Sequence, residues 1–361
     1  MKRQSDWLLK LGWDEFFQAG FDSYNSTGFR PGRITFESNQ LYRLQSNAGE
    51  VVGHLSGKLR HDSASRDDLP AVGDWVIIQP LFNEAKAVIH AVLPRRTRFV
   101  RKVAGARIEV QIVGANIDTV LLVTSANQEF NPRRLERYLV AAWDSGATAV
   151  VVLSKIDLCP DVDQLEEQVQ AVSGGVPVHP ISVLAGVGLE ALDQYFCEGK
   201  TVALLGSSGV GKSTLINHFA GADVQKVRQI RESDGRGRHT TTHRQLILLP
   251  GGGLVLDTPG MREFQLWEAD RGLEAAFDEI ESLAAGCRFR DCGHRGEPGC
   301  AVREALEEES LDTDRFESYE KLQRELRHLE LKQDRVAQMA QKTKWKKLSR
   351  MAKDKSQMKR G

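Results

Sequence analysis

The segment Gly206-Ser207-Ser208-Gly209-Val210-Gly211-Lys212-Ser213 has the residue types and spacing of a loop that holds a polyphosphate. Glycines let the backbone curl until successive N–H groups point inward, and a helix N-terminus behind them favours negative charge. The flanks agree, with an apolar run Thr201–Leu205 before the loop and a helical pattern of Leu215, Ile216 and Phe219 after it. Lys212 is placed to reach the β- and γ-phosphates and the Ser213 hydroxyl to sit on Mg²⁺, so Gly206 through Thr214 is the expected phosphate contact. A second constellation is Cys287-x4-Cys292-x-His294-x5-Cys300. Three thiolates and an imidazole make a soft tetrahedral set that selects one Zn²⁺, and four protein ligands leave no open position, so its role is structural.

Two further motifs surround the loop. Ser154-Lys155-Ile156-Asp157 ends an apolar run and resembles the NKxD motif with which GTPases read guanine. A carboxylate at Asp157 accepts from guanine N1–H and the 2-amino group, which adenine cannot supply, while the Lys155 stem covers the base plane. Ser154 stands where that pattern has Asn, which removes a side-chain amide. Ser182-Val183 resembles the weak following loop that meets guanine O6 through a backbone N–H. Downstream, Asp257-Thr258-Pro259-Gly260 matches DxxG, with Asp257 on Mg²⁺ through water and the Gly260 N–H on the γ-phosphate. Between them lies Gly235-Arg236-Gly237-Arg238-His239-Thr240-Thr241-Thr242, a polar, glycine-rich segment suited to a switch, from which Thr240 or Thr241 reaches Mg²⁺. Met261 follows Gly260 where many GTPases carry the water-orienting glutamine. A thioether cannot orient water, so intrinsic hydrolysis is expected to be slow, with His239 the candidate for that task.

The order of these parts is informative. The base reader (154–157) precedes the phosphate loop (206–213), which precedes the switches (235–260), whereas ordinary GTPases begin with the loop and end with the base reader. Circular permutation is tolerated because domain termini lie close together on the surface. Here it makes the second switch run straight into the cysteine cluster.

The elements that must position these residues can be read from length and pattern. A chain of 361 residues exceeds one typical core. Its composition, 41% hydrophobic and 27% charged, is that of a globular protein, and 49 basic residues balance 49 acidic ones. The neutral total hides a basic tail, Lys342 to Arg360, with nine Lys or Arg and one Asp. No apolar run is long enough to span a membrane and the N-terminus lacks a secretory apolar core, so a cytoplasmic protein is expected. Five cysteines do not make a disulfide scaffold. Trp7, Leu8, Leu11, Trp13, Phe16, Phe17 and Phe21 near the helical period predict a short helix packed on the next domain. Five short alternating strands between Arg33 and Ala104 predict a small closed barrel, best matched by an OB-fold. Pro94 to Lys102 reads either as an RNA-contacting flank of that barrel or as a solvated basic linker. Apolar runs at 119–125, 149–154, 176–182, 201–206, 244–249 and 253–258, separated by helical patterns, predict a parallel sheet covered on both faces. Beyond Phe264 the pattern is helical. The expected architecture is a multidomain α/β protein: an extension (1–32), an OB-fold barrel (33–106), a circularly permuted P-loop GTPase domain (107–265), a helical zinc-binding module (266–340) and a basic tail (341–361).

A barrel, this motif order, GRGRHTTTH in the first switch and a Cx4CxHx5C cluster together resemble the circularly permuted, small-ribosomal-subunit-dependent GTPases of bacteria, the RsgA (YjeQ) family. The resemblance covers about residues 33 to 335. It implies a ribosome-biogenesis factor, a monomer that docks on the nearly mature small (30S) subunit, has GTP hydrolysis to GDP stimulated there, and touches rRNA through barrel, zinc module and tail. Two other readings use the same parts: an RNA-binding scaffold with a vestigial GTPase domain, and a phosphotransferase or ATPase. Intact Lys212, Ser213 and Asp257 speak against the first, and Asp157 against the second.

Overall fold

The computed structural model describes residues 6–24, 28–38, 41–63, 65–81, 84–103, 109–126, 130–221, 244–257, 273 and 276–327. The first strands are β1 (Arg30–Ser38), β2 (Leu41–Ser46), β3 (Gly49–Leu55), β4 (Trp75–Pro80) and β5 (Lys86–Val92). They close on themselves in the order β1-β2-β3-β5-β4-β1, with only β3 and β5 parallel. Closure removes the unpaired edges that a short sheet would expose. The interior is packed with Ile34, Leu44, Ile78 and Ile89, all fully buried, while the equally buried Trp75 faces the N-terminal helices. The segment Asp62 to Asp68, between β3 and β4, carries the end of a short helix α3 (Gly57–Asp62) and a 3-10 turn (Arg66–Asp68).

Two short helices precede the barrel, α1 (Asp6–Lys10) and α2 (Glu15–Asp22). Asp14 caps α2 by accepting from the N–H groups of Phe16 and Phe17. Its inner face puts Phe17 and Phe21 beside Trp13, whose ring meets Trp75 edge-on at 4.7 Å. Backbone contact with the nucleotide-binding part occurs where Gly12 faces Gly199. Both have positive φ, 81° and 76°, and a Cβ on either would strike the other segment's backbone.

After a two-stranded ribbon of β6 (Arg98–Val103) and β7 (Glu109–Ala115), the chain builds a second sheet region. Its strands are β8 (Thr119–Ser125), β9 (Thr148–Ser154), β10 (Val178–Ile181), β11 (Thr201–Leu205), β12 (Arg244–Leu248) and β13 (Leu254–Asp257), in the order β10-β9-β8-β11-β13-β12. All but β12 run parallel. The pattern that predicted a wholly parallel sheet fails at β12, which is antiparallel to β13. Only Leu249 to Gly253 separate these two strands, too short a segment for a crossover, so the connection must be a hairpin. β12 also pairs antiparallel with β1 through Phe36↔Gln245 and Glu37↔Arg244, making barrel and nucleotide-binding sheet one eleven-stranded array. β1 changes partner along its length: Arg30 to Arg33 pair with β4, and past a register shift between Ile34 and Phe36 the strand meets β12.

Helices α4 (Pro132–Ser145), α5 (Val162–Val172) and α6 (Lys212–Ala220) flank this sheet. α4 starts with Asn131 accepting from the Arg134 N–H and Pro132 in the first turn, and stops at Gly146 in the left-handed region. Last come α7 (Asp278–Ala285), α8 (Ala301–Glu307) and a helix α9 described over 313–327. Phe277, Ile280, Val302, Tyr319 and Leu322 form their core, which extends onto Val140 and Ala141 of α4.

Candidate nucleotide site and metal cluster

A parallel sheet gathers the carboxyl ends of its strands on one rim, where helix N-termini and loops leave room for a ligand. Strand register puts Ser125 opposite Ser154, and Ser154 opposite Ile181, so the ends of β8, β9 and β10 are level. The phosphate loop leaves β11 beside them, and Asp257 closes β13 on the other side. Gly206 turns at φ 151°, where a Cβ would strike the Val123 carbonyl, and Gly209 and Gly211 have φ 83° and 100°. These positions need glycine because the curl that aims the N–H groups inward passes through conformations side chains disfavour. Lys212 Nζ donates to the carbonyl oxygens of Gly206 (2.6 Å) and Ser207 (2.5 Å), which holds its charge over the loop. Ser208, Gly209, Ser213 and Thr214 are exposed, while Val210 anchors the loop in the core.

The base-reading segment is tied to that loop by its first residue. Ser154 Oγ lies 2.6 Å from the Val210 carbonyl and 3.1 Å from that of Thr124. A serine hydroxyl thus supplies a link between base and phosphate ends even without the amide of an asparagine. Lys155 follows at φ 61° in the left-handed region, which turns the chain so that the exposed Asp157 begins a new direction. Ser182 Oγ donates to Asp157 Oδ1 at 2.5 Å and accepts from the Ala185 N–H, while the Ser182 backbone pairs with Val187. The Ser182-Val183 loop therefore buttresses the carboxylate through a side chain, a role its motif did not reveal. Thr258, His239, Thr240, Thr241, Gly260 and Met261 lie outside the described residues.

Arg134 escaped sequence reasoning. On α4 it reads as one of several solvated arginines, yet its guanidinium donates to Ser207 Oγ of the phosphate loop at 2.6 Å. Two cations of the Pro94–Lys102 segment are committed to protein. Arg95 pairs with the fully buried Asp74 at 2.7 Å, and Arg96 reaches Asp14 and stacks on Phe16. A further cation, the fully buried Arg33, donates to the carbonyls of Leu11, Gly73 and Asn116 and to Thr201 Oγ1. It thereby joins the extension, the barrel and the strand that leads to the phosphate loop.

The four cluster ligands come together as their spacing required. One donor atom each from Cys287, Cys292, His294 and Cys300 lies within 4.8 Å of the others. Cys287 Sγ is 3.9 Å from Cys300 Sγ and 3.7 Å from His294 Nδ1, and His294 Nδ1 is 3.4 Å from Cys300 Sγ. Ligands about 2.3 Å from a tetrahedral centre stand about 3.8 Å apart, so the donors fit a metal ion. His294 reaches its place with φ 57°. Burial by itself would raise the Cys287 thiol, but N–H groups of Val302 and Ala301 at the start of α8 hold it below the ordinary value. That favours the thiolate, the form that ligates.

A strand order with the base reader before the phosphate loop, and the ends of β8 to β11 and β13 on one rim, define a circularly permuted nucleotide-binding GTPase. The RsgA GTPase sequence family matches residues 92–267. The chain is 47% identical over 350 residues to a small ribosomal subunit biogenesis GTPase RsgA of Opitutus terrae, covering 94% of this chain and 95% of that protein. It is 42% identical to one of Syntrophotalea carbinolica, covering 96% and 97%. Among solved structures, YjeQ from Thermotoga maritima aligns with TM-score 0.62 and 30% identity over 82% of this chain and 98% of that one. YloQ, described as a circularly permuted GTPase, aligns with TM-score 0.60 and 25% identity over 84% and 97%. The ABC transporter family also matches, over 189–350, a span that includes the phosphate loop common to both kinds of protein. The chain belongs to the RsgA family of GTPases and is itself a GTPase.

Proposed function

We propose that this GTPase acts late in small ribosomal subunit maturation, binding rRNA and hydrolysing GTP when the 30S subunit stimulates it. The observation that carries the guanine preference is the Ser182–Asp157 hydrogen bond, because it orients an exposed carboxylate at the rim that also holds Lys212. In this reading Ser154 through Asp157 with Ser182 and Val183 contact the base, and Gly206 through Thr214 contact the phosphates. Ser213 and Asp257 hold Mg²⁺, while His239, Thr240, Thr241 and Gly260 act at the γ-phosphate. The Cys₃His set takes Zn²⁺, whose closed coordination stabilises 276–327 without joining the chemistry. The relatives' name, small ribosomal subunit biogenesis GTPase, supports the partner. The division into extension, barrel, GTPase domain, zinc module and basic tail, and a monomer in the cytoplasm, belong to the same proposal. No described helix is long and apolar enough to cross a membrane.

The test is GTP turnover with and without purified small subunits, with ATP in parallel. Strong stimulation of GTP turnover is expected. No stimulation would select a scaffold with residual turnover, and ATP preference would remove Asp157 as the base reader. In the same assay His239→Ala is expected to abolish stimulated turnover while GTP binding persists. Unchanged stimulation would take His239 out of the mechanism.

A further inference from the structure

We propose that Arg134 is a positioning residue for the phosphate loop, and that α4 couples this loop to the C-terminal helical module independently of the second switch. The helix is engaged on two sides at once. Arg134 holds Ser207 at 2.6 Å. From the same helix Arg133 pairs with Glu317, Glu136 with Arg315 at 2.7 Å, and Arg137 with Glu325 at 2.5 Å. Arg133, Glu136 and Arg137 are spaced by three and four, so they share a stripe, and Val140 continues it into the module's core.

The ties differ in strength, and the difference decides which contact gives way when α4 shifts. Glu136 is almost wholly buried, with a side chain 3% exposed, and its Oε2 has no hydrogen-bond partner among the described residues. Arg315 compensates it while also donating to Glu279 and the Ala276 carbonyl and stacking on Phe277 at 4.3 Å. A buried carboxylate left without that cation is strongly unfavourable, so the module fixes where α4 sits. Arg134 and Ser207 are more exposed. Their single charge-assisted bond is the part of the chain of contacts that a small shift of α4 makes or breaks. Phosphate binding, which orders the loop around Ser207, must then favour one setting of α4. By reciprocity the seating of the module must favour or disfavour the nucleotide by the same factor.

This coupling rests on 206–213 holding the phosphates, which Lys212→Ala tests separately by abolishing GDP binding. With the full-length, metal-loaded protein, Arg134→Ala is expected to weaken GDP binding about tenfold, the loss of one hydrogen bond to a charged group. The thermal midpoint without nucleotide should not move. Saturating GDP is expected to slow amide hydrogen exchange in 301–327 of the parent protein. Arg134→Ala should lose that slowing even at GDP concentrations that fill its site, and Arg134→Lys should regain part of it. Glu325→Ala, on a half-exposed pair whose loss leaves the buried Glu136–Arg315 pair intact, should also weaken GDP binding, and the double variant should bind no worse than Arg134→Ala alone. Parent-like GDP affinity in Arg134→Ala would overturn the proposal. So would GDP-dependent protection that survives the substitution, since the module would then sense nucleotide through residues 258–272.

Discussion

The base-reading role proposed for Asp157 needs its carboxylate held in one direction, and two serines supply that hold. Ser182 holds Oδ1, and Ser154 fastens the preceding residues to the Val210 carbonyl. Asp157→Asn exchanges an acceptor for a donor at the contact with N1–H and the 2-amino group. It is expected to weaken GTP by about a hundredfold or more, and to improve binding of xanthosine triphosphate, whose C2 carbonyl accepts. Competition binding with both triphosphates checks this. Ser182→Ala keeps the charge and frees its direction, so about tenfold weaker GTP with the base preference retained is expected from the same measurement. At this scale much was legible. The loop, the strand-end segment Ser154–Asp157 on the same rim and the four clustered Cys and His side chains announce themselves because the chemistry expected of them dictates both residue type and spacing. Arg134, Arg33 and the hydroxyl bond of Ser182 were not, because each joins residues 22 to 168 positions apart and no local pattern records such a partner.

Among the elements, the helices around the cysteine cluster and the two N-terminal helices depend most on something outside themselves. α7 and α8 have eight and seven residues, short of what an isolated helix needs. With the ion proposed for 287–300 in place, a chelator is expected to cost much of the helical circular-dichroism signal from 276–327, because an ion held by Cys287 and Cys300 would crosslink the end of α7 to the start of α8. GDP binding should persist, weakened. The extension is held by aromatic packing: Trp13 contacts Phe17, Phe21 and Trp75. Trp13→Ala removes the centre of that group and should lower stability by about 3–5 kcal/mol, read as a shift of the denaturant midpoint. Periodicity exposed the barrel strands and the helical character of the N-terminus, since alternation and the 3.6-residue repeat reflect burial on one face, but it read as one helix what Gly12 at positive φ and the Asp14 cap divide into two. It did not expose the direction of β12, where buried Arg244 and Leu246 alternate with exposed Gln245 and Leu248, because alternation reads the same whichever way a strand runs.

For the whole molecule, the parts are stitched together rather than merely linked. Arg33 bonds to the extension, the barrel and the nucleotide-binding sheet, Gly12 meets Gly199 backbone to backbone, and β1 pairs with β12. Replacing Gly12 by Ala is expected to separate the extension from the nucleotide-binding part, seen as faster proteolysis of residues 6–24 in the full chain, since no side chain fits there. The shared strand has a mechanical corollary. β12 begins three residues after Thr241, and its hairpin partner β13 ends at Asp257, so the barrel grips the very ribbon whose two ends carry the segments expected at the γ-phosphate. In the function proposed above, a torque on the barrel would be delivered to those ends along hydrogen-bonded backbone, so that the barrel would serve as a lever arm as well as a foothold.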